Sequence, residues 1–286
     1  MSNGIKAREN EEQSIEMLAA QRQLYNDAKK YGWLCIALSV WIPFALAICL
    51  LLIPEWPQFV IVLYICSIIS TIFSFIVDNV IRDKKEMAAL IQQKFDLYVY
   101  TMPWNIGIFG KEKNLSNEIV SFSSKILSNN DEKKLLYDWY VPQVDDKELH
   151  QGILACQREN VYWDVELRKK FKMGSMLIIL LLCFFVFIFG ICKNESIINL
   201  LCRFAFIIPM LRWLLSTISQ INKDVKNLQA VNELINDNKA KNMYDLQCIQ
   251  KYIYEHRKKC FIIPDFYYNF FRINDEEIAC RIASRN

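Results

Sequence analysis

Histidine is nearly absent: the 286 residues hold only His150 and His256. The pair is far apart in sequence and belongs to no metal spacing, so a zinc or di-iron signature is excluded and no cofactor is expected. Paired C-x-x-C spacings are missing although the chain has 10 cysteines, and six of them (Cys35, Cys49, Cys66, Cys183, Cys192, Cys202) fall inside apolar blocks. They read as small apolar residues, and a disulfide framework is not expected. The motifs G-x-S-x-G, G-x-G-x-x-G and H-E-x-x-H are absent, as is a phosphate loop, and no cysteine outside the apolar blocks has a recognisable catalytic context. The chain is therefore read as a non-enzyme, since a membrane enzyme would need a clustered acid, base and nucleophile that the sequence does not assemble. A net charge of +3 is too small to argue for direct nucleic-acid binding.

What is there is apolar sequence gathered into blocks. Trp33 to Ile53, Phe59 to Val77, Gly174 to Cys192 and Ile197 to Ile218 each approach the roughly 20 residues needed to cross a bilayer. The expected fold is an all-α polytopic membrane protein, with four transmembrane helices in two hairpins and a mainly helical cytoplasmic domain. In segments this gives an N-terminal cytoplasmic helix over 1–32, a first hairpin over 33–81, a cytoplasmic helical domain over 82–172, a second hairpin over 173–218 and a C-terminal cytoplasmic region over 219–286. Positive charge at Lys29, Lys30, Arg82, Lys84, Lys85, Arg168 to Lys170, Lys172, Lys223 and Lys226 flanks one side, with Lys193 alone on the other. That asymmetry places both termini in the cytoplasm of a multi-pass protein of the bacterial inner membrane, with membrane lipid as a partner. With charge throughout the opening residues, no removable signal peptide is expected.

The fourth block carries Arg203 and Arg212 with Pro209 between them. An arginine at a bilayer centre costs roughly 2.5–3.5 kcal/mol, so the two either snorkel to opposite surfaces or line a water path. On an unbroken helix they would sit about 13.5 Å apart and about half a turn around the axis.

Between and beyond the blocks the period is helical. Arg8 to Lys30 lacks glycine and proline and repeats Ile15, Leu18, Arg22 and Tyr25. Pro103 stops a helix running from the second block, and Leu115, Ile119, Phe122 and Ile126 begin another. Asn130 or Asp131 would cap a short helix with Leu135, Leu136 and Trp139, ended by Pro142. From Asp145 a stripe of Leu149, Ile153, Cys156, Asn160, Trp163 and Leu167 runs into the third block. It either couples domain to membrane or supports it mechanically. Ile218, Ile221, Val225, Leu228, Asn232 and Ile235 form a seam of about three heptads, which fits self-association or internal packing equally.

Arginines and aromatics keep company at Arg158, Asn160, Tyr162, Trp163 and Arg168, and again at Arg257, Tyr267 and Arg272. Aromatic faces stack bases and guanidinium groups hold phosphates, although such residues also close small cores.

Four stretches carry a resemblance. They are Ala20-Gln21-Arg22-Gln23-Leu24-Tyr25; Lys94-Phe95-Asp96 with Pro103-Trp104-Asn105; Cys156-Gln157-Arg158-Glu159-Asn160 with Tyr162-Trp163 and Arg168; and Tyr254-Glu255-His256-Arg257 with Ile263-Pro264-Asp265 and Tyr267. In order and spacing, over nearly the whole chain, they resemble the S-4TM family, the SMODS-associated four-transmembrane pore-forming effectors. The resemblance implies an anti-phage role of the CBASS type. A cyclic nucleotide from a cognate nucleotidyltransferase would activate a homo-oligomer that breaches the membrane. The motif positions Arg158, Asn160, Tyr162, Trp163, Arg168, Arg257, Tyr267 and Arg272 are then candidates for nucleotide binding, and Arg203 and Arg212 for the pore. The alternative is a membrane-anchored scaffold that recruits partners without a pore.

Overall fold

A computed structural model describes residues 2–42, 45, 57–192, 197–237 and 242–264. All regular structure among them is helical. In chain order the α-helices are α1 (Ile5–Glu9), α2 (Glu12–Ile36, followed by a π-helical turn at Ala37–Trp41), α3 (Pro57–Val99), α4 (Ile106–Phe109), α5 (Ser116–Leu127), α6 (Asn130–Lys134), α7 (Leu149–Cys192), α8 (Ile197–Asp237) and α9 (Met243–Lys259). A 3₁₀ turn at Pro142–Val144 precedes α7.

The expectation of four membrane-spanning helices is corrected here: no helix among the described residues is long and apolar enough to cross a membrane. The apolar blocks are pieces of longer helices that continue into charged sequence. Helix α3 takes in Asp78 and Arg82 to Glu86, and α8 takes in Arg203, Arg212, Lys223 and Asp224. A spanning segment needs roughly 20 consecutive, predominantly apolar residues, and no helix among the described residues supplies them. Residues 54–56 and 193–196, which lie between the paired blocks of the two expected hairpins, are outside the described residues.

The residues group into two compact units, one of 1–29, 82–168 and 223–286, the other of 30–81 and 169–222. In the second unit the Ser70 hydroxyl donates to the Leu38 carbonyl at 2.6 Å and Ser74 is buried, whereas Ile61, Ile65, Ile68, Ile72, Met176, Leu180 and Phe184 are exposed.

The first unit has two apolar clusters. The larger centres on Leu18 and Leu24 of α2, Ile91 and Phe95 of α3, Tyr100, Leu136, Ile153 of α7 and Leu246 of α9. The smaller joins Val161 and Val165 of α7 to Leu228, Val231 and Ile235 of α8 and Ile249 and Ile253 of α9. Leu228 and Ile235 of the seam thus pack internally, and the buried register includes Val231 while Asn232 is half-buried.

Local chemistry sets the helix ends. Asn105 Oδ1 accepts from the Gly107 amide at 3.0 Å, Asn129 Oδ1 from Asp131 at 3.0 Å, and Asn242 Oδ1 from Asp245 at 2.9 Å. Each satisfies an amide that the first turn leaves without an intrahelical partner. The cap of α6 is therefore Asn129, and that helix stops at Lys134, before Leu135 and Trp139. The last turn of α9 carries His256, Arg257, Lys258 and Lys259, which complement its carbonyl end.

Gly152 lets the N-terminal segment dock on α7. A Cβ there would lie 2.9 Å from the Val144 carbonyl and would also strike the Asn3 side chain. Asn3 Nδ2 donates to Val144 O at 2.7 Å and to Lys147 O at 3.1 Å. Gly152→Ala is expected to cost about 1–3 kcal/mol despite the better helix former. Hydrogen exchange should show faster exchange over residues 2–9, and unchanged protection there would refute this docking account.

Candidate functional site

The first unit holds a cleft of about 570 Å³, within the range typical of small-molecule sites. Helix α2 supplies Gln21, Arg22, Tyr25, Asn26 and Lys29 along one wall, because these positions share a face at helical spacing. Trp139 and Glu132 come from the segment after α5, and Asn160, Asp164 and Arg168 from α7. Arg257, Cys260 and Ile263, from the end of α9 and the chain after it, complete the lining.

Two buried polar clusters support the lining. In one, Asp96 is fully buried and accepts from Arg257 Nη1 at 2.5 Å, Gln250 Nε2 at 2.8 Å and the Tyr140 hydroxyl at 3.0 Å. Tyr140 also meets Tyr100 Oη at 2.8 Å and accepts from Asn160 Nδ2 at 3.2 Å. Burial opposes the Arg257 charge, but the neighbouring Asp96 carboxylate holds the guanidinium protonated, above its ordinary range. Burial drives the Tyr140 hydroxyl well above the usual phenol range, so it stays a donor.

In the other cluster Arg168 Nε meets Asp164 Oδ1 at 2.9 Å, and Arg168 Nη1 meets Asp224 Oδ2 at 2.8 Å and the Phe261 carbonyl at 3.0 Å. The Phe261 amide donates to Asp224 at 2.8 Å, which ties the segment after α9 to α8. His256 Nε2 lies 2.7 Å from Asp164 Oδ2. Burial disfavours the imidazolium, but Asp164 and Cys260 together raise His256 to about 9. Burial likewise opposes the Asp164 charge, yet Arg168 and His256 bring that carboxyl below its ordinary range. Burial would push the Cys260 thiol up, and the Arg168 guanidinium with the His256 hydrogen bond reverses this, leaving it below the usual thiol range.

Of the expected candidates, the structure brings Asn160, Arg168 and Arg257 together on the cleft. Arg158, Tyr162 and Trp163 are half-buried on α7 and do not line it, and Arg158 Nε has no hydrogen-bond partner among the described residues. Tyr267 and Arg272 lie outside the described residues. Arg212 is exposed on α8, while the side chain of Arg203 is outside what is described. Arg22, Lys29, Trp139 and Cys260 were missed as site residues. Arg22 and Tyr25 had been read as part of a packing stripe, and the H-x-x-x-C spacing of His256 and Cys260 was the available signal for a paired thiol.

The fold and cleft define a class: an all-helical protein with a ligand-sized cleft edged by cations and aromatics. The chain belongs to the family of SMODS-associating 4TM effector domains, whose model matches residues 3–284. A protein of Bacillus cereus (strain VD146) named a probable CBASS effector molecule is 24% identical over 292 residues, covering 97% of this chain and 96% of that protein. No solved structure matches.

Proposed function

We propose that this chain is the effector of a CBASS anti-phage system, that a cyclic nucleotide from the partner nucleotidyltransferase binds the cleft, and that the liganded chains assemble to breach the inner membrane. The observation that carries the reading is the cleft itself. Arg22 and Lys29 edge it beside Trp139 and Tyr25, so phosphates and a base each have a complementary group. The Arg22 guanidinium reaches the Glu132 and Leu135 carbonyls at 3.4 Å each. Arg168 and Arg257 are neutralised by aspartates, and they shape the floor of the cleft more than they attract an anion. Family membership and the named relative favour an effector over an enzyme. Action at the membrane is supported by the exposed apolar side chains of the second unit, Ile61, Ile65, Ile68, Leu180 and Phe184 among them. Contiguous exposed apolar surface marks a membrane or protein contact.

A complete switch from 1:99 to 99:1 needs about 5.5 kcal/mol of differential binding, more readily supplied by several sites in an assembly than by one. The test is calorimetric titration of the full chain with a panel of cyclic di- and trinucleotides, followed by dye release from vesicles. Arg22→Ala and Lys29→Ala are each expected to weaken binding about tenfold, the worth of one charge-assisted hydrogen bond. If the wild-type chain binds no member of the panel, the nucleotide reading fails. Binding without dye release would instead identify a nucleotide-regulated scaffold.

A further inference from the structure

We propose that Cys260 is a covalent modification site within the cleft: its thiolate undergoes exchange with small anionic disulfides, and the mixed disulfide then fills the cleft. That it blocks the nucleotide rests on the reading above; the exchange itself does not. Cys260 is a half-buried free thiol that lines the cleft, not a core cysteine. It ends α9 four residues after His256, with its amide donating to the His256 carbonyl at 2.8 Å, which holds the two side chains on one face. His256 is in turn oriented by Asp164 at 2.7 Å. The Cys260 thiol lies 3.6 Å from the Arg257 carbonyl, and the charged His256 and Arg168 beside it favour the thiolate, the setting of an activated cysteine.

The charged and titratable groups facing Cys260 come from every helix around it. They are Arg168 and Asp164 of α7, His256 of α9, Lys85 of α3, Asp224 of α8 and Tyr25 of α2. Lys85 Nζ donates to the Cys260 carbonyl at 2.7 Å. The cations nearest the sulfur favour the thiolate, and Arg22 and Lys29 on the same cleft favour a partner that carries carboxylates. In the exchange, the Cys260 thiolate attacks one sulfur of the disulfide, a new S–S bond forms and the old one breaks. The departing sulfur leaves as a thiolate and takes a proton from water. The Cys260 sulfur is oxidised and the departing sulfur is reduced, so no further oxidant is needed.

The experiment treats the reduced full chain with glutathione disulfide, and in parallel with the uncharged hydroxyethyl disulfide, and follows each cysteine by peptide mass. At pH 7 Cys260 is expected to react about tenfold faster than Cys248, which is half-buried on the same helix. Its rate should level off at a lower pH than that of an ordinary thiol, because the neighbouring cations favour the thiolate. Arg22→Gln should slow glutathione disulfide and leave the uncharged reagent unaffected. Cys260→Ser should remove the fast site. Equal rates at Cys248 and Cys260, or a Cys260 rate that levels off no earlier than that of an ordinary thiol, would overturn the proposal, and neither readout depends on a variant that could misfold. Fully modified protein should lose the nucleotide affinity of the unmodified chain. A fast Cys260 in a chain that binds no nucleotide would leave the modification site standing and remove the nucleotide reading alone; undiminished nucleotide affinity after full modification would refute the blocking step.

Discussion

Arg257→Met is expected to destabilise the first unit by about 3–5 kcal/mol, the usual cost of removing one partner from a buried ion pair. Asp96 is fully buried, and its strongest partner is the Arg257 guanidinium at 2.5 Å. Without that partner the carboxylate must either stay ionised in a dry site or take up a proton and lose acceptor capacity toward Gln250 and Tyr140. The double variant Asp96→Leu, Arg257→Met removes both charges and should recover only part of the loss, because Gln250 and Tyr140 still lose their acceptor. Denaturant unfolding of the four proteins gives the coupling energy directly. A single-variant loss below about 1 kcal/mol would show that the pair is better hydrated than its geometry indicates. Nucleotide binding should weaken in step with cleft order, since Arg257 and Asn160 both reach the cleft through this cluster.

Glu9→Gln is expected to do the opposite and stabilise the chain at neutral and alkaline pH. The Glu9 carboxyl is 1% exposed and accepts from the Tyr140 amide at 3.0 Å. Burial raises it from 4.5 to about 8, with Asp138 and Glu159 adding to the rise against the Tyr140 hydrogen bond and Lys6. The unfolded chain releases this proton near 4.5, whereas the folded chain keeps it until about 8. Between those values the folded state binds more protons, so stability falls as pH rises and levels off above the upper value. By pH 7 the accumulated cost is on the order of 3 kcal/mol. Glutamine keeps an acceptor for Tyr140 and has no proton to lose. The variant should match the wild type near pH 4.5, exceed it at pH 7.5 and show a flatter profile in thermal unfolding. A variant less stable than wild type at pH 7.5 would refute the assignment. Glu159, which burial lifts to about 7, leaves a residual slope in the same direction.

The helices were legible because their signals are local. Arg8 to Lys30 has no glycine or proline, and α2 occupies that stretch from Glu12 onward, after a break at Asn10 that the pattern did not signal. Pro103 follows the end of α3 at Val99, and α5 at Ser116–Leu127 carries the expected apolar period. Errors of position arose where two residues could do the same work: the cap of α6 is Asn129, with Asn130 and Asp131 inside the helix. The four-span architecture was read from the mean apolarity of blocks, and block composition does not decide how far a helix runs or where its charged turns fall.

The sequence by itself determined an all-helical chain, where most helices begin and end, and membership of the effector family, because periodicity, capping and motif order are properties of neighbouring residues. Only the tertiary structure decided which side chains meet. Asp96 and Arg257 are 161 residues apart, Arg168 and Asp224 are 56 apart, and Arg22 reaches the Glu132 carbonyl across 110. A helical period says which residues share a face but not which helix that face will meet. The same arginine can therefore read as a phosphate ligand in the sequence and stand in the fold as the buried partner of an aspartate. The turn of α8 that buries Val231, the salt-bridged floor of the cleft and the His256–Cys260 pair all follow from how α2, α3, α7, α8 and α9 pack in the first unit.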